Sequence, residues 1–232
     1  MVRPFVVEES LRHLLKPHPT PDEFQQALRC NLRQTMENLV RLWLTEGIPY
    51  EFRNCPIVFE EIRAWLGRRL GVCPKVITII GSARIGFSIA GAKYGRPFNS
   101  DSDLDLSIVS ELLFERLSDT FTKWQSEYCG GIVHPRHEIE RQLWDSNLEF
   151  GNRNIPAGFF DANKIPTYDR YPLIQDIQQA MWTLTRKLEV TPDLTPPRRS
   201  SVRVYKSWSI LVSRLTISLF RTRHLIEGRT HR

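Results

Sequence analysis

Cysteine is scarce and scattered in this chain. Cys30, Cys55, Cys73 and Cys129 stand far apart and form no C-x-x-C pair, which argues against both a zinc site and a disulfide framework and for reduced thiols. Long apolar runs are also missing. The most apolar late stretch, 208–220, is interrupted by Arg214 and falls short of the ~20 residues that a spanning helix requires. The first residues carry Glu8, Glu9, Arg12 and Lys16 where a secretory leader would have an apolar core, so no leader is expected. There is no internal repeat or low-complexity tract, and no G-x-S-x-G, Walker A or G-x-G-x-x-G pattern. These absences predict a soluble, cytoplasmic protein with no membrane contact. They remove the serine-hydrolase, P-loop and dinucleotide-binding classes.

Acidic residues are nearly lacking from one region. Residues 198–232 hold nine Lys or Arg and a single acid, Glu227. The whole chain of 232 residues carries a net charge of +6, so everything before Arg198 is slightly acidic. A positive field of this kind favours phosphate-bearing partners, and RNA contact through the basic C-terminal segment is one expectation.

What is present is well patterned. Thr20-Pro21-Asp22-Glu23 combines an N-cap, a proline at the first helical position and a capping-box glutamate. Phe24, Leu28, Leu32, Met36, Leu39, Val40 and Trp43 follow at helical spacing before Gly47, which predicts one spine helix over 21–46. A second helix is expected over 57–70. The β-branched run 75–80, closed by Gly81, reads as a buried strand, and 104–109 alternates as another. Helices over 112–128, 134–149 and 172–188 and a short strand over 157–161 follow. A Pro- and Arg-rich linker over 191–200 then leads to an expected last helix, 202–221, with Val204, Trp208, Leu211, Leu215 and Leu219 on its core face. Three segments are expected: helical 1–71, a core over 72–168, and basic helical 169–232.

The chemistry concentrates in residues 81–109. Gly81-Ser82 follows a strand, where a glycine lets backbone approach a phosphate and the hydroxyl can bind it. In Ser102-Asp103-Leu104-Asp105-Leu106, residues two apart on a strand share a face, so both carboxylates project together. Two such charges repel by about a few kcal/mol at an effective dielectric near 20. A divalent cation offsets that repulsion, and hard carboxylate oxygens suit Mg²⁺ or Mn²⁺ beside substrate phosphates. The loop 90–100, with Lys93 and Arg96, is a candidate cover for a nucleotide or a plain solvated loop. His134 and His137 are too poorly spaced for a helix-borne zinc motif.

The order strand, Gly-Ser, helix, Ser-Asp-x-Asp-Leu strand resembles the polymerase-β-type nucleotidyltransferase superfamily. The resemblance implies an α+β fold with a mixed sheet and helices packed on it. It implies transfer of a nucleotidyl group from a nucleoside triphosphate with two metal ions. Gly81 and Ser82 would then contact the triphosphate, and Asp103 and Asp105 would hold metal. A third carboxylate would come from Asp161 in Gly158-Phe159-Phe160-Asp161, with Glu149 as the alternative. Val202-Arg203-Val204-Tyr205-Lys206-Ser207-Trp208 is similar to the Lys-x-Trp helix of the oligoadenylate and cyclic-oligonucleotide synthase branch. That similarity implies that Lys206 binds nucleotide phosphate and Trp208 is core. The acceptor stays open between a second nucleotide, as in antiphage signalling, and a protein or tRNA end. A non-catalytic or antitoxin-like nucleotide-binding module of the same fold is the alternative reading.

Overall fold

The computed structural model describes residues 12, 14–29 and 32–230, the side chains of 228–230 excepted. The first helix begins as its cap residues require. The Thr20 hydroxyl accepts from the Glu23 amide at 3.2 Å, the Glu23 carboxylate accepts from the Thr20 amide at 2.9 Å, and Pro21 opens the helix. The expected single spine helix is, however, broken. Helix α1 (Pro21–Leu28) ends, and α2 (Arg33–Leu39) restarts after an extended Leu32, then continues as a π-helical stretch, Val40–Thr45. Leu32 lay on the predicted stripe yet is 67% exposed, while Phe24, Leu28, Met36, Leu39, Val40 and Trp43 are all buried. The break lets both pieces bury their apolar faces in one cluster with helix α8 (Trp208–Thr230), which a straight helix would not do. Tertiary burial outweighs helical continuity here.

Helix α3 (Pro56–Leu70) ends at Gly71, whose φ of 68° gives the left-handed stop. Strand β1 (Ile77–Ile80) leads through Gly81 into the short helix α4 (Ser82–Ile85), and β2 (Asp103–Val109) follows a long connection. Helices α5 (Glu111–Cys129) and α6 (Glu138–Asn154) come next, then β3 (Phe159–Asp161) and α7 (Pro172–Glu189). Gly151 lets α6 lie against the Phe121 ring of α5, since a Cβ there would sit 2.1 Å from the ring.

The region after the linker departs most from expectation. Residues expected to open the last helix form strand β4 (Arg199–Tyr205), and α8 starts only at Trp208. In sheet order β1-β2-β4-β3, β4 lies between β2 and β3, parallel to β2 and antiparallel to β3. The expected third segment, 169–232, therefore contributes one strand to the core sheet. The reason lies in Arg199-Ser200-Ser201-Val202-Arg203-Val204-Tyr205: residues 201–204 alternate polar and apolar, and the valines are β-branched. Trp208, expected in the core, stands in the first turn of α8 and is 39% exposed.

The architecture is thus mixed α and β, with eight α-helices and a four-stranded sheet among the described residues. One sheet face is apolar: Ile77, Ile79, Leu104, Leu106, Ile108, Phe160, Val202 and Val204 are buried in the main core with residues of α3, α5 and α7. The other face carries the polar residues of the same strands. Helix α8, the π-helical stretch and α4 pack around it. Arg84 of α4 is buried and donates to the carbonyls of Trp43 at 3.0 Å and Gly47 at 2.7 Å. Burial pulls its pKa down to about 10. Those bonds tie the Gly-Ser turn to the N-terminal helices. Among the described residues, no helix is long and apolar enough to cross a membrane.

Candidate functional site

Register builds the site. Ile80 pairs with Asp105 across β1 and β2, so Gly81 emerges from β1 directly beside the Asp105 side chain. Gly81 adopts φ 72° and ψ −151°, a conformation essentially confined to glycine. A Cβ there would stand 3.2 Å from Asp105 Oδ2. Both facts require glycine at this position, independently of any ligand.

Asp103, Asp105 and Ser82 line one cavity of about 210 Å³. The connection before β2 lines the same cavity through Ser88, Lys93, Arg96 and Asp101, and Arg198 lines it too. Gly81, Ser82, Asp103 and Asp105 are thus brought together. The 90–100 loop, left open between cover and solvated loop, lines this cleft.

The carboxylates are already compensated by protein groups. Asp103 accepts from Arg198 Nε at 3.0 Å and from Arg199 Nε at 2.9 Å. Asp105 accepts from the Ser201 hydroxyl at 2.7 Å. Burial pushes the Asp105 carboxyl above its ordinary range; the Ser201 hydrogen bond opposes the rise and the nearby Asp103 charge adds to it. Asp103 keeps 20% side-chain exposure, at the cavity wall. Two hard oxygen donors on one strand face, both lining the cavity, match what Mg²⁺ uses when substrate phosphates complete its shell.

Asp161 is not brought to this pair. It pairs with Arg203 in the sheet, while Asp105 pairs with Ser201, and β4 stands between them. Two strand spacings separate the carboxylates by about 10 Å, before adding an offset of two residues along the strands. Arg203 fills the gap, donating from Nη2 to Asp161 at 2.8 Å and also from Nε. Burial lowers the Arg203 pKa, but the bonded Asp161 more than reverses this and holds the guanidinium charged. Glu149 is exposed on α6, which packs beside β3. Among the described residues, no three His, Cys, Asp or Glu side chains converge in a geometry that could hold an ion.

Lys206 is also elsewhere. It follows β4 at the end where Tyr205 pairs with Val109, whereas Asp103 pairs with Arg199 at the other end. Seven residues of strand span about 20 Å, and Lys206 pairs instead with Glu111 at 3.2 Å on α5. Lys206 was expected on a helix; it lies instead in the bend between β4 and α8, at the far end of β4 from Asp103. His137, weighed as a metal or acid–base residue, caps α6 by accepting from the Glu140 amide at 3.2 Å.

Arg198, Arg199, Ser201 and Arg203 went unassigned in the sequence. For Arg199, Ser201 and Arg203 the signal was the odd-numbered positions of β4, which share one strand face; Arg198 precedes the strand. Three of the nine C-terminal cations thereby turn toward the acids of the cleft face rather than forming a free basic stripe. A second cavity, of about 220 Å³, is lined by Asn163, Gln178 and Met181 together with β4 residues that include Arg199 and Ser201, the partners of Asp103 and Asp105. No protein family, curated protein or solved structure matches this chain.

Proposed function

We propose that this chain binds a nucleoside triphosphate with Mg²⁺ or Mn²⁺ and acts as a nucleotidyltransferase. The observation that carries the reading is the meeting of Asp103, Asp105 and Ser82 on one cavity that Lys93, Arg96 and Arg198 also line. Asp103 and Asp105 would hold the divalent ion. When bound, such an ion supplies charge neutralisation at the phosphates and acidifies an attacking hydroxyl. The chain's own residues supply position. Gly81 lets backbone and ligand approach Asp105, Ser82 offers a hydroxyl at the phosphates, and Ser201 fixes the rotamer of Asp105. Rigid placement of charge is the main thing a protein contributes to phosphoryl chemistry of this class. The acceptor is a second nucleotide, or a protein or tRNA end.

A second reading, a non-catalytic nucleotide-binding module, is favoured by one observation: Asp161 is ion-paired to Arg203 across the strand that separates it from Asp105.

One experiment tests both. Thermal melts with each of the four triphosphates, with and without Mg²⁺ or Mn²⁺, should show stabilisation that needs nucleotide and metal together. Asp103→Ala should lose it while keeping its fold. Release of pyrophosphate from labelled triphosphate supports transfer; stabilisation without release supports the module. Absence of any metal-dependent nucleotide effect sinks both readings.

A further inference from the structure

The connection from α4 to β2 is a built element. Ser88 and Arg96 pair through the Ser88 amide at 2.8 Å, the Gly95 amide returns to the Ser88 carbonyl at 2.9 Å, and the Phe98 amide reaches the Gly86 carbonyl at 2.9 Å. These bonds fold 86–98 into a hairpin. Its outer side is tethered at three points. Phe87 is buried with its ring edge-on to Phe24 of α1. The Tyr94 hydroxyl donates to the Pro21 carbonyl at 2.7 Å. The Thr222 hydroxyl of α8 donates to the Ile89 carbonyl at 3.1 Å. The two ends of the chain therefore brace this hairpin from behind.

Lys93 and Arg96 lie on the hairpin, line the 210 Å³ cavity that Asp103 and Asp105 also line, and are exposed. Among the described residues neither forms an ion pair. Arg198, the third cation of the cavity, is engaged with Asp103. Two unpaired cations held by a braced hairpin against a carboxylate pair make a site for an anion larger than the pair's own counter-ion. A cavity of 210 Å³ lies below the ~300 Å³ at which pockets begin to enclose a drug-sized ligand. It has no aromatic or large apolar lining for a base. Its size and polarity suit phosphates.

We propose that Lys93 and Arg96, joined by Arg198, form the subsite for the terminal phosphates of the triphosphate, the role that Lys206 is too distant to perform. The inference rests on the nucleotide-binding reading. A triphosphate tail carries more negative charge than one divalent ion neutralises, so cations beyond the ion are needed. When Asp103 takes a divalent ion, its need for Arg198 falls, and that guanidinium can turn to a phosphate oxygen in the same cavity. Bidentate geometry makes Arg96 and Arg198 the orienting contacts and Lys93 a point charge.

The test uses the full chain and two probes: inorganic tripolyphosphate, and each nucleoside triphosphate with Mg²⁺, both compared by calorimetric titration with the corresponding monophosphates. Lys93→Glu/Arg96→Glu alters only exposed side chains, so its melting temperature should match the parent's. Loss of two charge-assisted contacts should weaken triphosphate and tripolyphosphate binding by about a hundredfold or more and erase the preference over monophosphate. Lys206→Glu should change neither. If the double variant binds nucleoside triphosphate as tightly as the parent, the subsite is overturned while the nucleotide reading stands. If the parent binds tripolyphosphate through these residues but shows no metal-dependent nucleotide binding, the anion site stands and the nucleotide reading falls. A parent that binds neither probe overturns both.

Discussion

The two faces of one four-stranded sheet follow different rules. On one face, Leu104, Leu106 and Ile108 alternate with the site residues of β2 and are buried against three helices. On the other, Asp103, Asp105 and Ser107 sit in register with Arg199, Ser201 and Arg203. A strand has period two, so each β2 residue belongs wholly to one face or the other. The apolar face gains by excluding water. The polar face gathers charges that cost stability unless each finds a partner. Here the partners are Arg198 and Arg199 at Asp103, Ser201 at Asp105 and Arg203 at Asp161, and a ligand that displaces the arginines must bring its own charge. The comparison teaches that the sheet's stability and its chemistry can be altered separately.

The sharpest way to test that separation is a pair of changes one residue apart. Leu106→Ala removes a fully buried side chain and should cost about 2–5 kcal/mol, seen as a large fall in the denaturation midpoint, with residual folded protein still binding nucleotide. Asp105→Asn should leave the midpoint intact or raise it and abolish the metal-dependent nucleotide effect. A large stability loss in Asp105→Asn would break the comparison, because the polar face would then be holding the fold. A smaller effect is expected at the turn. Gly81→Ala meets both a glycine-only backbone and a Cβ 3.2 Å from Asp105. It should cost about 1–3 kcal/mol and shift the Asp105 carboxylate enough to weaken metal-supported binding. Unchanged melting and binding in that variant would show that the turn relaxes freely.

How much of this was legible depends on the range of the interaction. The Thr20 capping box, the Gly71 stop, β1 and the shared face of Asp103 and Asp105 are set within a few residues, and each was readable. The break after Leu28 was not, because the 3.6-residue stripe runs unbroken through Leu32 and only the distant α8 decides that two short helices bury more than one long one. Strand β4 was hidden for a related reason. Its alternation is short, and the apolar spacing of Trp208, Leu211, Leu215 and Leu219 invites a helix extended backward over it. Asp161 was found as a strand acid, but its pairing with Arg203 was not legible, since strand order is a long-range property. Once β4 lies between β2 and β3, Arg203 rather than a metal faces Asp161.

Two acids titrate in opposite senses on the two sides of the sheet. On the apolar side, hydrogen bonds from Arg170, at 3.0 and 3.2 Å, and from the Tyr171 hydroxyl, at 2.7 Å, hold Glu127 below its ordinary range. Its stabilisation is present above the unfolded value and is lost as pH falls through the lowered folded value. On the polar side, burial holds Asp105 above its range, so its contribution is full below the unfolded value and lost as pH rises through the raised one. Glu127→Gln should therefore flatten the acid limb of metal-free stability. Asp105→Asn should instead gain on the parent as pH rises toward neutrality. Melts across acidic to neutral pH read both slopes, and parallel profiles for the two variants would contradict the opposite shifts.

The smallest effect is expected at Lys206, for which the Lys-x-Trp resemblance implied a phosphate contact. Lys206 keeps 44% side-chain exposure and pairs with Glu111, itself 62% exposed, at the end of β4 far from Asp103. An exposed pair of this kind contributes about 0–1 kcal/mol, because water screens both charges and two long side chains lose rotamer freedom. Lys206→Ala should change the melting temperature little and leave metal-dependent triphosphate affinity unaltered. A marked loss of affinity in that variant would mean that the bound nucleotide extends along the whole length of β4. The cavity beside Gly81 would then be only one part of a much longer groove.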